Sequence, residues 1–146
     1  MEDACVLIDN LAAEFPQFEN SSICAFYGVY DGHGGNRTST ICSELLHKNI
    51  INSPFFAHES MGEAFKTAYA STDQYVLKQS EIESFKDGST AVTVFIWNNY
   101  LYVANAGDSE AVLCKVKFVF QHFYQSFSLF FLLNEKTKGR MDPLRE

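Results

Sequence analysis

An acid, a glycine and a histidine stand side by side in Asp31-Gly32-His33-Gly34-Gly35, which closes the almost wholly apolar stretch Ile23 to Tyr30. A carboxylate there is held at the end of a buried strand. The glycine after it lets its own carbonyl face a ligand, and the histidine exchanges protons near neutral pH. Carboxylate, carbonyl and water oxygens are the donors that Mg²⁺ and Mn²⁺ prefer. A bare Asp-Gly is usually only a turn, but no turn type calls for the histidine. Gly107-Asp108-Ser109 follows the apolar run Tyr102 to Ala106, and on its own it reads as a hairpin turn. Glu2-Asp3 precedes the apolar run Cys5 to Ile8, and on its own it signals nothing. Taken together, three acidic sites flank three apolar strands. A two-metal cleft needs such an arrangement of carboxylates at strand ends.

The elements that must position these residues follow from pattern. Cys5 to Ile8 reads as a strand ending at Asp9-Asn10. Ile23 to Tyr30 suits a strand covered on both faces, with Gly28 where another backbone comes close. Ile41, Leu45, Leu46 and Asn49 fall at helical spacing and predict a helix from about Arg37 to Ile50. Ser60 with Glu63 three residues on forms a capping box, and Met61, Ala64, Phe65, Ala68, Tyr69 and Val76 give the following helix one apolar stripe. Thr90 to Trp97, the turn Asn98-Asn99 and Tyr100 to Ala106 read as a β-hairpin, with Ala111 to Lys117 as a third antiparallel strand. Strand, strand, two helices and a meander make an α+β arrangement rather than a doubly wound parallel sheet.

The chain has 146 residues, one domain's worth, and 47% of them are hydrophobic, too many for a disordered chain. The net charge of -7 disfavours nucleic-acid binding, which needs a basic surface. Residues 1–110 hold fifteen acids and five bases, whereas residues 111–146 hold three acids and six bases. Six of the fourteen phenylalanines fall between Phe118 and Phe131, so the last quarter differs in composition from the rest. Phe118 to Leu133 is short of the roughly 20 residues needed to cross a bilayer and is broken by Gln121, His122, Gln125 and Ser126. A membrane partner is therefore not expected. Cys5, Cys24, Cys42 and Cys114 have no zinc-site spacing and read as small buried hydrophobes in a reducing compartment. The acidic start Met1-Glu2-Asp3 is no secretory signal, and an intracellular location, cytoplasmic or nuclear, is expected.

Met1-Glu2-Asp3, Phe26 to Gly35, Asp87-Gly88-Ser89-Thr90-Ala91, and Leu101 to Ser109 with Ala111-Val112-Leu113 together resemble the metal-dependent (PPM-type, type 2C) serine/threonine protein phosphatases. The likeness covers about residues 1–115, and the order of the four motifs makes it specific. It implies an antiparallel β-sandwich flanked by helices (α-β-β-α) with a two-metal Mg²⁺ or Mn²⁺ cleft at one end. By matched position, it implies that Asp31 bridges the two ions and the Gly32 carbonyl binds one of them. Glu2 and Asp3 would hold metal-bound waters. Asp108 would ligate a weaker third ion. His33 would be the general acid that protonates the leaving alkoxide. Gly88-Ser89-Thr90 would open a core strand. The substrate would be a phosphoprotein carrying phosphoserine or phosphothreonine, attacked directly by a metal-activated water, and the enzyme a monomer.

The chain departs from the pattern in three places. The family's phosphate-clamping arginine lies three residues ahead of the Met-Glu-Asp, before this chain's start. Glu110 stands where the family reads G-D-S-R. Beyond Lys115 there is no counterpart of two further metal-binding aspartates. Residues 1–115 are thus expected to be a partial phosphatase domain, and 116–146 an unrelated aromatic-rich, basic tail from a partial or alternative gene model. Weak or no activity is expected of this chain. The alternatives are a non-catalytic pseudophosphatase or binding fragment, and a small protein anchored to a membrane through Phe118–Leu133.

Overall fold

A computed structural model describes residues 1–113 and 128–134 of the chain. Its strands are β1 (Ala4–Ile8), β2 (Cys24–Tyr30), β3 (Gly32–His33), β4 (Gly88–Ser89), β5 (Ala91–Trp97), β6 (Tyr100–Ala106) and β7 (Ser128–Asn134). Helices α1 (Arg37–Ile51) and α2 (Met61–Glu83) lie between β3 and β4 in sequence. Five strands form one sheet in the order β1-β2-β5-β6-β7, and β3 pairs with β4 in a two-stranded ribbon. The pairings β1–β2, β2–β5, β5–β6 and β3–β4 are antiparallel, as the α+β reading requires. The β6–β7 pairing is parallel.

Strand alternation gives the sheet one helix-covered face. Phe26, Tyr30, Phe95 and Tyr102 point into it and are essentially inaccessible. They join Leu46, Ile50, Met61, Ala64, Phe65 and Ala68 from the two helices in a single core. Burying each large apolar side chain contributes about 1.5–3 kcal/mol before the entropy of ordering is counted. Toward one end the core is aromatic, with Phe56 stacked on Trp97 at 5.0 Å between ring centroids. Some polar groups inside it are paired across layers. Tyr69 Oη donates to the Ala104 carbonyl at 3.2 Å and shares a 2.8 Å hydrogen bond with Thr93 Oγ1. Asn49 Nδ2 donates to Thr72 Oγ1 at 2.8 Å and links α1 to α2.

Several sequence expectations change. Ser60 does not cap α2: its hydroxyl donates instead to the Phe55 carbonyl, and Glu63 accepts from Lys66 Nζ at 2.8 Å, so no capping box forms. Gly28 leaves room for the Tyr30 ring rather than for another backbone, since a Cβ there would meet Tyr30 Oη at 2.6 Å. The outer end of β2 is not covered on both faces. Leu7 is 72% exposed and Val29 51%, and with Tyr27, Val92 and Val94 they line an open apolar groove. Residues 111–113 are not in a strand; the rest of the strand expected over Ala111 to Lys117 lies outside the described residues. So does the aromatic run from Phe118 to Phe127, while 128–134 form β7. No helix among the described residues is long and apolar enough to cross a membrane. Of the cysteines, Cys24 is buried, Cys42 half-buried and Cys5 exposed on the edge strand. Burial pushes the Cys24 thiol up to about 12 and, with the Asp73 charge adding, Cys42 up to about 11. Cys114 lies outside the described residues.

His47 on α1 is buried against Phe26, at 5.7 Å between rings, and its Nδ1 has no hydrogen-bond partner. Burial, then the Lys48 charge, lowers its pKa against a weaker opposing pull from Glu14 and the Ser43 backbone. The folded state therefore resists protonating His47 while the unfolded chain does not. Stability is full above the ordinary histidine pKa and falls as the pH drops below it toward the lowered folded value. Denaturant titrations between pH 7.5 and 5 should show this loss, at no more than about 1.4 kcal/mol per pH unit. His47→Leu should flatten that part of the profile; an unchanged slope would exclude His47 as its source.

Candidate functional site

The three acidic sites singled out in the sequence come off one end of the sheet. Ala4 pairs with Tyr30, so Glu2-Asp3 and Asp31 run out beside each other. Ala91 pairs with Ala106, so Thr90 and the Gly107-Asp108-Ser109 turn leave the same end one strand further on. Glu2, Asp3, Asp31, His33 and Asp108 are all exposed, while Gly32 is buried. The carboxylates thus face solvent from a buried backbone, which is what a site for a soluble ligand needs.

The backbone under Asp31 is fixed by tight packing. A Cβ on Gly32 would overlap the Glu2 carbonyl and come within 2.9 Å of Ser39 Oγ. Ser39 Oγ, on the first turns of α1, hydrogen-bonds that same Glu2 carbonyl. The segment carrying Glu2 and Asp3 is therefore pinned directly over Gly32. On the other side, Thr90 N donates to the Asp31 carbonyl at 2.9 Å, and β3 pairs Gly32 with Ser89 and His33 with Gly88.

Gly88 decides where the histidine goes. A Cβ there would lie 2.5 Å from His33 Nε2 and 3.0 Å from its Cε1, so the imidazole rests on the bare glycine. Asp87 fixes the loop between His33 and α1. Asn36 makes no side-chain cap, but Asp87 Oδ2 accepts from Arg37 N at 2.6 Å and Thr38 N at 3.2 Å. Thr38 Oγ1 donates back to the Asp87 carbonyl at 3.0 Å. A carboxylate on the free N–H groups of a helix is favourable both as a hydrogen-bond acceptor and toward the helix dipole. Arg37 pairs with Glu83 at 3.2 Å on the surface and lies over the Phe85 ring.

The donor set is hard: the Asp31 carboxylate, the neighbouring Gly32 carbonyl and the nearby acids are all oxygen. That fits Mg²⁺ or Mn²⁺ in kind. It falls short in number, because no group of three or more His, Cys, Asp or Glu among the described residues is placed to hold a metal ion. Asp31, Gly32, His33, Glu2, Asp3 and Asp108, the residues the sequence singles out, all lie toward one end of the sheet. The sequence alone does not show the parts played by Asp87, Gly88 and Thr90, whose only signal is their place in the Asp87-to-Ala91 motif. Replacing Gly88 by alanine should push the imidazole out of place with little cost to the strand, since Gly88 has no positive φ. A crystal structure or the shift of the His33 Cε1 proton will read this; an unmoved ring would show that Gly88 does not set the histidine's position.

The family model for Protein phosphatase 2C matches residues 1–123. Protein spalten of Dictyostelium discoideum is 39% identical over 119 residues, covering 80% of this chain and 12% of that protein. Integrin-linked kinase-associated serine/threonine phosphatase 2C of Bos taurus is 35% identical over 123 residues, covering 79% of this chain and 33% of that protein. The chain thus spans between an eighth and a third of these relatives' lengths. Among solved structures, serine-threonine phosphatase 2C from Toxoplasma gondii superposes with a TM-score of 0.56 at 21% identity, over 73% of this chain and 42% of that one, a likeness of fold. Metal dependence is general in this family. A match over most of the chain, on the motifs that meet at one sheet end, makes this chain a member of the protein phosphatase 2C family of serine/threonine phosphatases.

Proposed function

We propose that the chain supplies the Asp-Gly-His portion of a phosphatase centre that hydrolyses phosphoserine and phosphothreonine in proteins. The observation that carries this is the convergence of Glu2-Asp3, Asp31-Gly32-His33 and Asp108 at one end of a helix-backed sheet, around a backbone with no slack at Gly32. Asp31 and the Gly32 carbonyl would hold a Mg²⁺ or Mn²⁺ pair, Glu2 and Asp3 would hold its waters, and Asp108 a weaker third ion. When bound, such ions lower the pKa of water and spread the charge on the phosphoryl oxygens.

The chain's own residues have three tasks. Glu2 and Asp3, tied over Gly32 through the Glu2 carbonyl, orient water by accepting hydrogen bonds from it. Asp31, set by the pairing of its backbone with Thr90, presents its carboxylate to the cleft. His33, seated on Gly88, is free to deliver a proton to the alkoxide oxygen that leaves phosphorus. We further propose an intracellular, monomeric protein that binds neither nucleic acid nor membrane. The non-catalytic alternative has one observation in its favour: among the described residues no three acidic or histidine side chains are gathered for a metal.

Calorimetry with Mn²⁺ on the chain as it stands tests the reading. Mg²⁺ and Mn²⁺ sites with so few protein donors bind weakly, so a Kd of about 1 mM or above is expected. Asp31→Asn should abolish the heat. Hydrolysis of p-nitrophenyl phosphate should be slow and should vanish with the same substitution. Binding indifferent to Asp31→Asn, or a cooperative melt with no Mn²⁺ response at all, would favour the non-catalytic reading.

A further inference from the structure

The Asp31 turn and the Gly107-Asp108-Ser109 turn lie 77 residues apart in sequence, yet one side chain touches both. Thr90 Oγ1 accepts from Asp31 N at 3.2 Å and shares a 2.6 Å hydrogen bond with Ser109 Oγ. Its backbone N–H donates to the Asp31 carbonyl at 2.9 Å, so both backbone polar groups of Asp31 end on Thr90. Its methyl lies against Gly107, where a Cβ would come within 2.9 Å of Thr90 Cγ2. Gly107 has φ +99, a conformation that favours glycine, so the turn bends around the methyl at little strain. Asn105 Nδ2 then holds the Ser109 carbonyl at 2.5 Å and closes the turn from its other side. Thr90 is itself buried at 8% exposure, which strengthens these hydrogen bonds relative to the same contacts in water.

We propose that Thr90 is a positioning residue that locks the Asp31 turn and the Asp108 turn into one unit, so that neither carboxylate moves without the other. This rests on the proposed role of both residues at the phosphatase centre. The coupling itself is a property of the metal-free chain. Hydroxyl and methyl do separate work: the hydroxyl links the turns, and the methyl fills the space beside Gly107. Thr90→Val removes the first and keeps the shape. Thr90→Ser keeps the first and removes the second.

Amide hydrogen exchange on the metal-free chain reads the lock directly. Thr90→Val should speed exchange at Asp31 and at Gly107–Ser109 by about fivefold to tenfold while the middle of β5 stays protected. Thr90→Ser should leave the Asp31 amide close to wild type. Ser109→Ala is the sharper variant, because it touches only the distant turn and should still loosen the Asp31 amide. If Thr90→Val fails to fold, Thr90→Ser and Ser109→Ala carry the test. An Asp31 amide unaffected by Ser109→Ala would overturn the proposal, as would equal effects of Thr90→Val and Thr90→Ser, which mark mere packing. Mn²⁺ affinity, measured by water-proton relaxation, should fall several-fold in Thr90→Val and recover in Thr90→Ser. Exchange coupling without any Mn²⁺ binding would sustain the lock and refute the phosphatase centre; Mn²⁺ binding that needs Asp31 but ignores Thr90→Val would do the reverse.

Discussion

A β-carbon at position 32 would run into the carbonyl of Glu2 and crowd the hydroxyl of Ser39. Three separate pieces of chain meet at that point: the lead into β1, the end of β2 and the first turns of α1. Their close approach is possible only because residue 32 has no side chain. It also makes their positions interdependent. The lead segment cannot lift away without breaking the Ser39 contact, and α1 cannot slide without dragging the Glu2 carbonyl. Exposed acids are usually mobile side chains on a mobile backbone. Here they stand on a backbone closely packed around Gly32.

The same economy holds around the histidine. Its ring is set from below by the missing side chain of Gly88 and from behind by a loop that Asp87 fastens to the helix. Asp87 stands in for the cap that Asn36 does not provide, from a position 50 residues beyond Arg37. One Asp87 carboxylate oxygen is spent on helix N–H groups; the other is buried with no partner. The helices thus serve the site twice: they cover the sheet's inner face and they anchor the loop that carries His33.

Much of this was legible in the sequence because it is local. The α1 boundaries follow from the spacing of Ile41, Leu45 and Leu46, and the β5–β6 hairpin follows from two β-rich runs around Asn98-Asn99, where Asn98 takes the left-handed conformation. Asp31, Gly32 and His33 announced themselves because the sequence places them in one uninterrupted run. The failures have different causes. Ser60 and Glu63 have the spacing of a capping box, but the Ser60 hydroxyl donates to the Phe55 carbonyl instead of accepting from the helix. Gly28 signalled a close approach, and the partner proved to be a ring two residues away on its own strand. Asp87, Gly88 and Thr90 act only through strand pairing with residues far off in sequence, and pairing register is not written in any single window.

The order of strands in the sheet bears on how the chain reaches this state. β2 pairs on one side with β1, close by in sequence, and on the other with β5, its paired residues 63 to 73 positions apart across a segment that includes both helices. The first hairpin can therefore close early, while the middle of the sheet must wait until α1 and α2 have been made and folded back. Pairings between distant segments are slow to form because the loop must close before any contact rewards it. Until β5 arrives, Phe26 and Tyr30 have only helices to shelter them, and one edge of β2 stands unpaired. On the ribosome, the nascent chain passes through an interval in which the apolar strand β2 is half-dressed.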